Sequence, residues 1–240
     1  MSYSRPILIL AGVLVMVACS ESQPVKITEK ISSESTESVG IFSSLNNETV
    51  NTLSQCEVDA AEFERLMSLS YRDFDQDFSG GWRKVSSNEG CDKAGQLIIE
   101  HYILYSTKYL PGELKYLRWH AGQQAAEYGN YQSAIGYFKT TLKNTEVQAL
   151  NESELLWQLY VQGSIAFLER DKDKLQGIHD QLAVIPVSDE EQAARRKFLE
   201  DNPHITMPDG FVEKPQNLSV LERLLECYEY EYKVAYHGNC

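Results

Sequence analysis

The stretch GQQAAEYGNYQSAIGYFKTTL, residues 122–142, decides the fold. Gly122 and Ala125 are small residues three apart, so they share one helical face and allow a neighbouring helix to approach closely. Gly129 ends that segment, where a helix terminus favours a residue that adopts left-handed backbone angles. Tyr131 opens a second segment, in which Ala134 and Phe138 stand four apart on one face. The pattern is helix, tight turn, helix. From Glu57 onward apolar residues recur at helical spacing and long alternating runs are absent, so the body of the chain reads as all-α.

The same pattern recurs on either side. Downstream, Gly163 and Ala166 repeat Gly122 and Ala125, Arg170 stands at the turn position and Leu175 at that of Ala134. Upstream, EGCDKAGQLIIEHYI aligns Gly90 with Gly129, Gly95 with Ala134 and Ile99 with Phe138. These residues resemble the tetratricopeptide repeat, over roughly residues 57–186. Trp119 lies one residue out of register, Ala125 replaces a tyrosine and Glu146 replaces the closing proline. The turn positions are 39 and 41 residues apart, longer than the usual repeat of about 34, so helices or connections must be longer than standard. The resemblance implies a short α-solenoid of helix-turn-helix units whose inner helices form a groove for a partner protein or peptide. The expected first helix of the upstream unit falls near 57–71, with residues 72–89 as an enlarged turn. At the C-terminus, Leu218, Leu221, Leu224, Leu225, Tyr228 and Ala235 line one face of an expected capping helix with Asn217 as its N-cap. Ala94, Leu97, Ile98, Tyr102 and Tyr105 line an earlier one.

The enlarged turn, YRDFDQDFSGGWRKVSSNEGC (71–91), alternates Asp73, Asp75 and Asp77. A calcium loop starting at Asp73 would need glycine at Phe78 and a bidentate glutamate at Lys84, and has neither. Two readings of Trp82 and Arg83 stay open. They cap the open end of the solenoid, or they form a recognition loop, being of types enriched at binding hot spots. Arg83 can reach Asp75 or Asp77.

The N-terminus supplies an address. Arg5 precedes an apolar run from Ile7 to Val17, too short to span a bilayer, which reads as an export signal over residues 1–18. Met16-Val17-Ala18-Cys19 resembles a bacterial lipobox, with cleavage between Ala18 and Cys19 and acylation of Cys19. The resemblance implies a lipid-anchored envelope protein facing the periplasm, at the outer membrane rather than the inner one since no aspartate follows Cys19. Residues 19–54, rich in Ser, Thr, Glu and Asn, read as a flexible tether, and residues 55–240 as the helical domain. The formal charge of −13 disfavours nucleic acid and anionic lipid as partners.

With Cys19 acylated, Cys56, Cys91, Cys227 and Cys240 remain, an even count in an oxidising compartment. Four cysteines allow three pairings; the shortest loops come from Cys56–Cys91 and Cys227–Cys240. No G-x-S-x-G elbow, H-E-x-x-H helix, Walker loop or CxxC is present. His101, His120, His179, His204 and His237 are scattered and suggest no metal or cofactor site. The expected function is a membrane-tethered protein-interaction or scaffold module. The alternative is an envelope enzyme or accessory subunit, acting on cell-wall material, whose site spacing does not reveal.

Overall fold

A computed structural model describes residues 40–143, 150–201, 203 and 213–240. The signal segment, Ala18, Cys19, Glu146 and His204 lie outside them. Among the described residues all regular structure is helical. A 3-10 turn at Ile41–Ser44 leads into α1 (Asn47–Gln55) and α2 (Ala60–Ser68). A π turn at Arg72–Gln76 and α3 (Gly81–Ser86) precede the long helices α4 (Asp92–Tyr105) and α5 (Leu114–Glu127). Then come α6 (Tyr131–Lys139), α7 (Glu152–Leu168), α8 (Lys172–Ala183), α9 (Asp189–Asp201), α10 (Leu218–Glu226) and α11 (Tyr232–His237). The principal antiparallel neighbours are α4 with α5, α5 with α6, and α7 with α8, while α10 lies across α7 and α8. The architecture is an all-α stack of helical hairpins.

The repeat register appears in the backbone. Gly90, Gly129 and Arg170 all have left-handed angles, with φ of 78°, 86° and 58°. At Gly129 the Asn130 N–H donates to Ala125 C=O at 2.8 Å, and at Arg170 the Asp171 N–H donates to Ala166 C=O at 2.9 Å. Each closes a Schellman turn. The next residue then caps the following helix at once: the Asn130 side chain accepts from Ser133 N–H and the Asp171 side chain from Lys174 N–H. A helix therefore stops and its antiparallel partner starts within three residues. Arg170 tolerates the left-handed angles without being glycine because its guanidinium donates to the carbonyls of Tyr228 and Tyr230, tying the turn to the C-terminal segment.

Two hydrophobic cores flank α5. Leu117 and Ala121 face a core built with Leu53, Val58, Phe63, Leu66, Phe74, Ile98 and Tyr102. Trp119, Ala125 and Ala126 face the other, with Phe138, Tyr160, Phe167, Leu175, Leu221 and Tyr232. The small positions serve this double contact. A Cβ at Gly122 would lie 2.6 Å from the Phe138 ring, which itself stacks on Trp119 at 4.2 Å. A Cβ at Gly163 would meet Leu221 of α10 at 2.7 Å, so in the downstream unit the small position receives α10 in place of the hairpin partner.

Five expectations need correction. The folded region begins before residue 55: α1 occupies the end of the expected tether, with Leu53 fully buried and Asn46 capping it through Thr49 N–H. Its Thr/Ser/Asn-rich sequence hid a helix with two inward positions. The expected enlarged turn at 72–89 is mostly helical, as the π turn and α3. The C-terminal cap is two helices, α10 and α11, because Tyr228–Glu231 break the register. Asn217 precedes α10 in a left-handed conformation, φ 66°, and its side chain makes no capping bond. Tyr105, expected on the buried face of α4, is exposed.

The disulfides join Cys56 to Cys91 and Cys227 to Cys240, with Cα–Cα distances of 5.8 and 5.7 Å. The first fixes the end of α1 to the start of α4; the second closes the C-terminal segment over α11.

Two glycine substitutions separate close packing from intrinsic propensity. Gly122→Ala is expected to destabilise the protein by about 1–3 kcal/mol, since the stacked Phe138 ring has little room to move. Gly136→Ala on the open face of α6, where nothing lies within 4 Å, is expected to stabilise by about 0.5–1 kcal/mol. Urea unfolding of both variants checks the pair.

Candidate functional site

The stretch that looked like a loop folds around Asp75. The three aspartates take different local partners. Asp73 accepts from Ser70 Oγ at 2.7 Å, and Asp77 accepts from Ser79 N–H and Oγ, both at 3.0 Å. Asp75 turns inward and is completely buried. A buried carboxylate must be paired or hydrogen-bonded to stay ionised. Here Trp82 Nε1 donates to Oδ1 at 3.0 Å, the His120 imidazole donates through Nδ1 to Oδ1 at 2.7 Å, and Gln76 Nε2 donates to Oδ2 at 2.6 Å.

Arg83 completes the cluster from α3. Its guanidinium donates through Nη1 to the Asp75 backbone carbonyl, lies 4.2 Å from the Trp82 ring, and places Nη2 3.3 Å from His120 Nε2. Arginine carries donors only. His120 Nε2 must therefore accept, which puts the imidazole proton on Nδ1, facing Asp75. Gly81 makes this geometry reachable: its φ is 52°, and a Cβ there would collide with the Phe74 carbonyl at 1.9 Å.

The electrostatics follow from burial against pairing. Burial pushes the Asp75 carboxyl up and is the largest single influence, but His120, the Trp82 hydrogen bond and the Arg83 charge together outweigh it and hold the group below the ordinary carboxylate range. Burial draws the Arg83 guanidinium down from its usual value. Burial, with Asp75 next, pushes the Tyr71 phenol up.

Chemically, the Asp75–His120 pair has the orientation of a carboxylate that positions a general base. The nitrogen that would act as that base already accepts from Arg83. In this arrangement the cluster is a brace that links the π turn, α3 and α5. The candidate recognition residues are thus placed otherwise than a recognition loop requires. Trp82 is only 4% exposed and belongs to the core, which accords with the capping reading. Arg83 is half-buried and pairs with the Asp75 carbonyl and His120, leaving the carboxylates of Asp75 and Asp77 to other donors. The reason is that a tryptophan beside a buried carboxylate satisfies both groups only by turning inward.

Two further polar clusters depend on tertiary contacts. Tyr137 OH donates to Glu100 Oε1 at 2.5 Å, Gln96 Nε2 donates to the same carboxylate at 2.6 Å, and Tyr128 OH donates to Gln96 at 2.6 Å. Beside them Glu100, Ile103, Leu104, Arg118 and Tyr137 line a hollow of 280 Å³ across α4, α5 and α6. At the other end α11 docks through Lys233 on Asp92 at 2.7 Å, His237 on Glu127 at 3.1 Å, and Gln123 Nε2 donating to Tyr236 OH at 2.7 Å. Burial raises the Glu127 carboxyl despite these cations. Partners more than 100 residues apart leave no spacing signal, so these pairs were invisible in the sequence. The pairing of His120 with Asp75 had no local signature in the sequence.

No protein-family model, curated protein sequence or solved structure matches this chain. Among the described residues no cluster of metal-ligating side chains occurs, and no helix is long and apolar enough to cross a membrane.

Asp75→Asn is expected to cost about 3 kcal/mol at neutral pH, because a buried charge-assisted network loses its charge. The folded carboxyl titrates below its unfolded value. Its contribution is therefore complete above the unfolded value near 4 and is lost as pH falls through the lower folded one. The gap between wild type and Asp75→Asn in denaturant unfolding should accordingly be widest near pH 7 and shrink towards about pH 2.

Proposed function

We propose that this chain is a membrane-tethered scaffold of the bacterial envelope, acylated at Cys19, that holds a partner protein or peptide on its stack of helical hairpins. One observation carries the reading of the folded region. The three turn residues at repeat spacing, Gly90, Gly129 and Arg170, share left-handed geometry, as expected of a repeat array in which each hairpin buries its face against the next. Such arrays present extended surfaces suited to protein recognition, an argument from fold analogy. The hollow across α4, α5 and α6 is lined by the apolar Ile103 and Leu104, by Glu100 and Tyr137 joined in a hydrogen bond, and by Arg118. The export signal and the lipobox-like Met16–Cys19 support the tether.

The Asp75–His120 pair favours a second reading, an envelope enzyme or accessory subunit. Such an enzyme would need Arg83 to leave His120 Nε2 before that nitrogen could accept a proton. The scaffold reading requires no such movement.

Crosslinking in intact cells followed by mass spectrometry tests the proposal. The wild-type chain is expected to co-purify a specific partner from the membrane fraction, and Cys19→Ala to leave that fraction. Arg118→Ala is expected to reduce partner recovery about tenfold with circular dichroism unchanged, a loss of roughly 1.4 kcal/mol of binding. Full recovery with Arg118→Ala removes the hollow as the docking site. No partner with any version counts against the scaffold.

A further inference from the structure

We infer that the turn joining α4 to α5 is a membrane-contact surface that rests on a phospholipid bilayer. Four of the eight exposed large apolar residues among the described ones fall within residues 104–116: Leu104, Tyr105, Leu110 and Tyr116. Leu104 is 71% and Leu110 68% exposed. Two nearly free leucines beside tyrosines at a hairpin tip form the combination that inserts at the headgroup–acyl boundary, with aliphatic side chains below and amphipathic rings at headgroup depth.

The tip is built rather than loose. Tyr109 OH donates to Ile103 C=O at 2.7 Å, Lys108 N–H to Ser106 Oγ at 3.1 Å, and Leu110 N–H to Glu113 Oε2 at 2.6 Å. Tyr116 packs edge-on against Trp157 at 5.5 Å, and Lys115 Nζ sits 4.7 Å from the Tyr116 ring and 4.6 Å from that of Trp157.

Local charge opposes the global one. The chain carries −13, yet residues 104–116 hold Lys108 and Lys115 against Glu113 alone. The Glu113 carboxylate is turned onto the Leu110 N–H, which leaves the lysines to dominate the outer potential. Within a Debye length of about 8 Å such a patch meets anionic headgroups while the acidic remainder stays screened.

The tip is joined to the interior by a row of aromatic rings. Phe42 packs on Phe63 at 5.5 Å, Phe63 on His101 at 5.6 Å, and His101 on Tyr105 at 6.0 Å. This row of rings ends at the exposed Tyr105. The inference rests on the tethered reading only in that an acylated Cys19 would keep the chain at a bilayer.

The test uses the full native chain in vesicles of phosphatidylethanolamine and phosphatidylglycerol that contain a phospholipid with a diazirine on its acyl chain. After illumination, peptide mass spectrometry is expected to find adducts concentrated in residues 104–116. In Lys108→Glu/Leu110→Asp those adducts should fall about tenfold, with both disulfides and helicity unchanged. Both residues are exposed, and neither lines the hollow. Adducts absent from 104–116, adducts spread evenly over the surface, or adducts unchanged in the variant would each overturn the inference. The mass of the Cys19-containing peptide reports acylation in the same sample. Adducts at 104–116 on a chain lacking acylation would support the surface while sinking the tether.

Discussion

The two hydrophobic cores of the described residues meet at a helix that is packed on both sides. In α5, Leu117 and Ala121 face one core while Trp119, Ala125 and Ala126 face the other. A helix in that position cannot be amphipathic, and it cannot carry bulk at every inward position. The small residues Ala121, Gly122, Ala125 and Ala126 are the consequence. Trp119 supplies the volume they leave out, stacked on Phe138 and lying 4.6 Å from Tyr160. The polar residues of α5 are drawn into the same constraint. His120 braces α3 through Asp75, and Glu127 receives α11 through His237.

The hairpins are joined by a turn that economises on chain. A left-handed residue ends one helix and its successor caps the next, at Gly129–Asn130 and at Arg170–Asp171. With turns so short, the extra length between Gly90 and Gly129 lies in the two long helices α4 and α5 and their connection, residues 106–113. The first unit carries a further segment, the π turn and α3, inserted between α2 and α4. There Phe74, Trp82 and Val85 of the added segment enter the core, and the Asp75 carboxylate is hydrogen-bonded by neighbours from three elements. The buried carboxylate and the buried tryptophan require each other, and both require Gly81.

Covalent and ionic ties hold the ends. Cys56–Cys91 fastens α1 to α4, and Cys227–Cys240 closes the chain over α11. Lys233, Tyr236 and His237 then secure α11 to α4 and α5. Away from these ties, the α4–α5 tip projects Leu104, Tyr105, Leu110 and Tyr116 outwards on a hydrogen-bonded frame.

The sequence by itself determined the helical class, the register of the hairpins and the turn positions, because these depend on residues three to eight apart. Spacing and small residues identified Gly122, Gly129, Ala134 and Phe138, and the shortest-loop argument paired the cysteines as they are found. Tertiary structure alone decided which polar residues meet. Asp75 and His120 are 45 residues apart and Lys233 and Asp92 are 141 apart, and no local periodicity encodes such pairs. Tertiary packing also turned Trp82 inward and Tyr105 outward, since the direction of an aromatic side chain is set by whether a core or solvent lies opposite it, and that depends on which helices arrive from elsewhere in the chain.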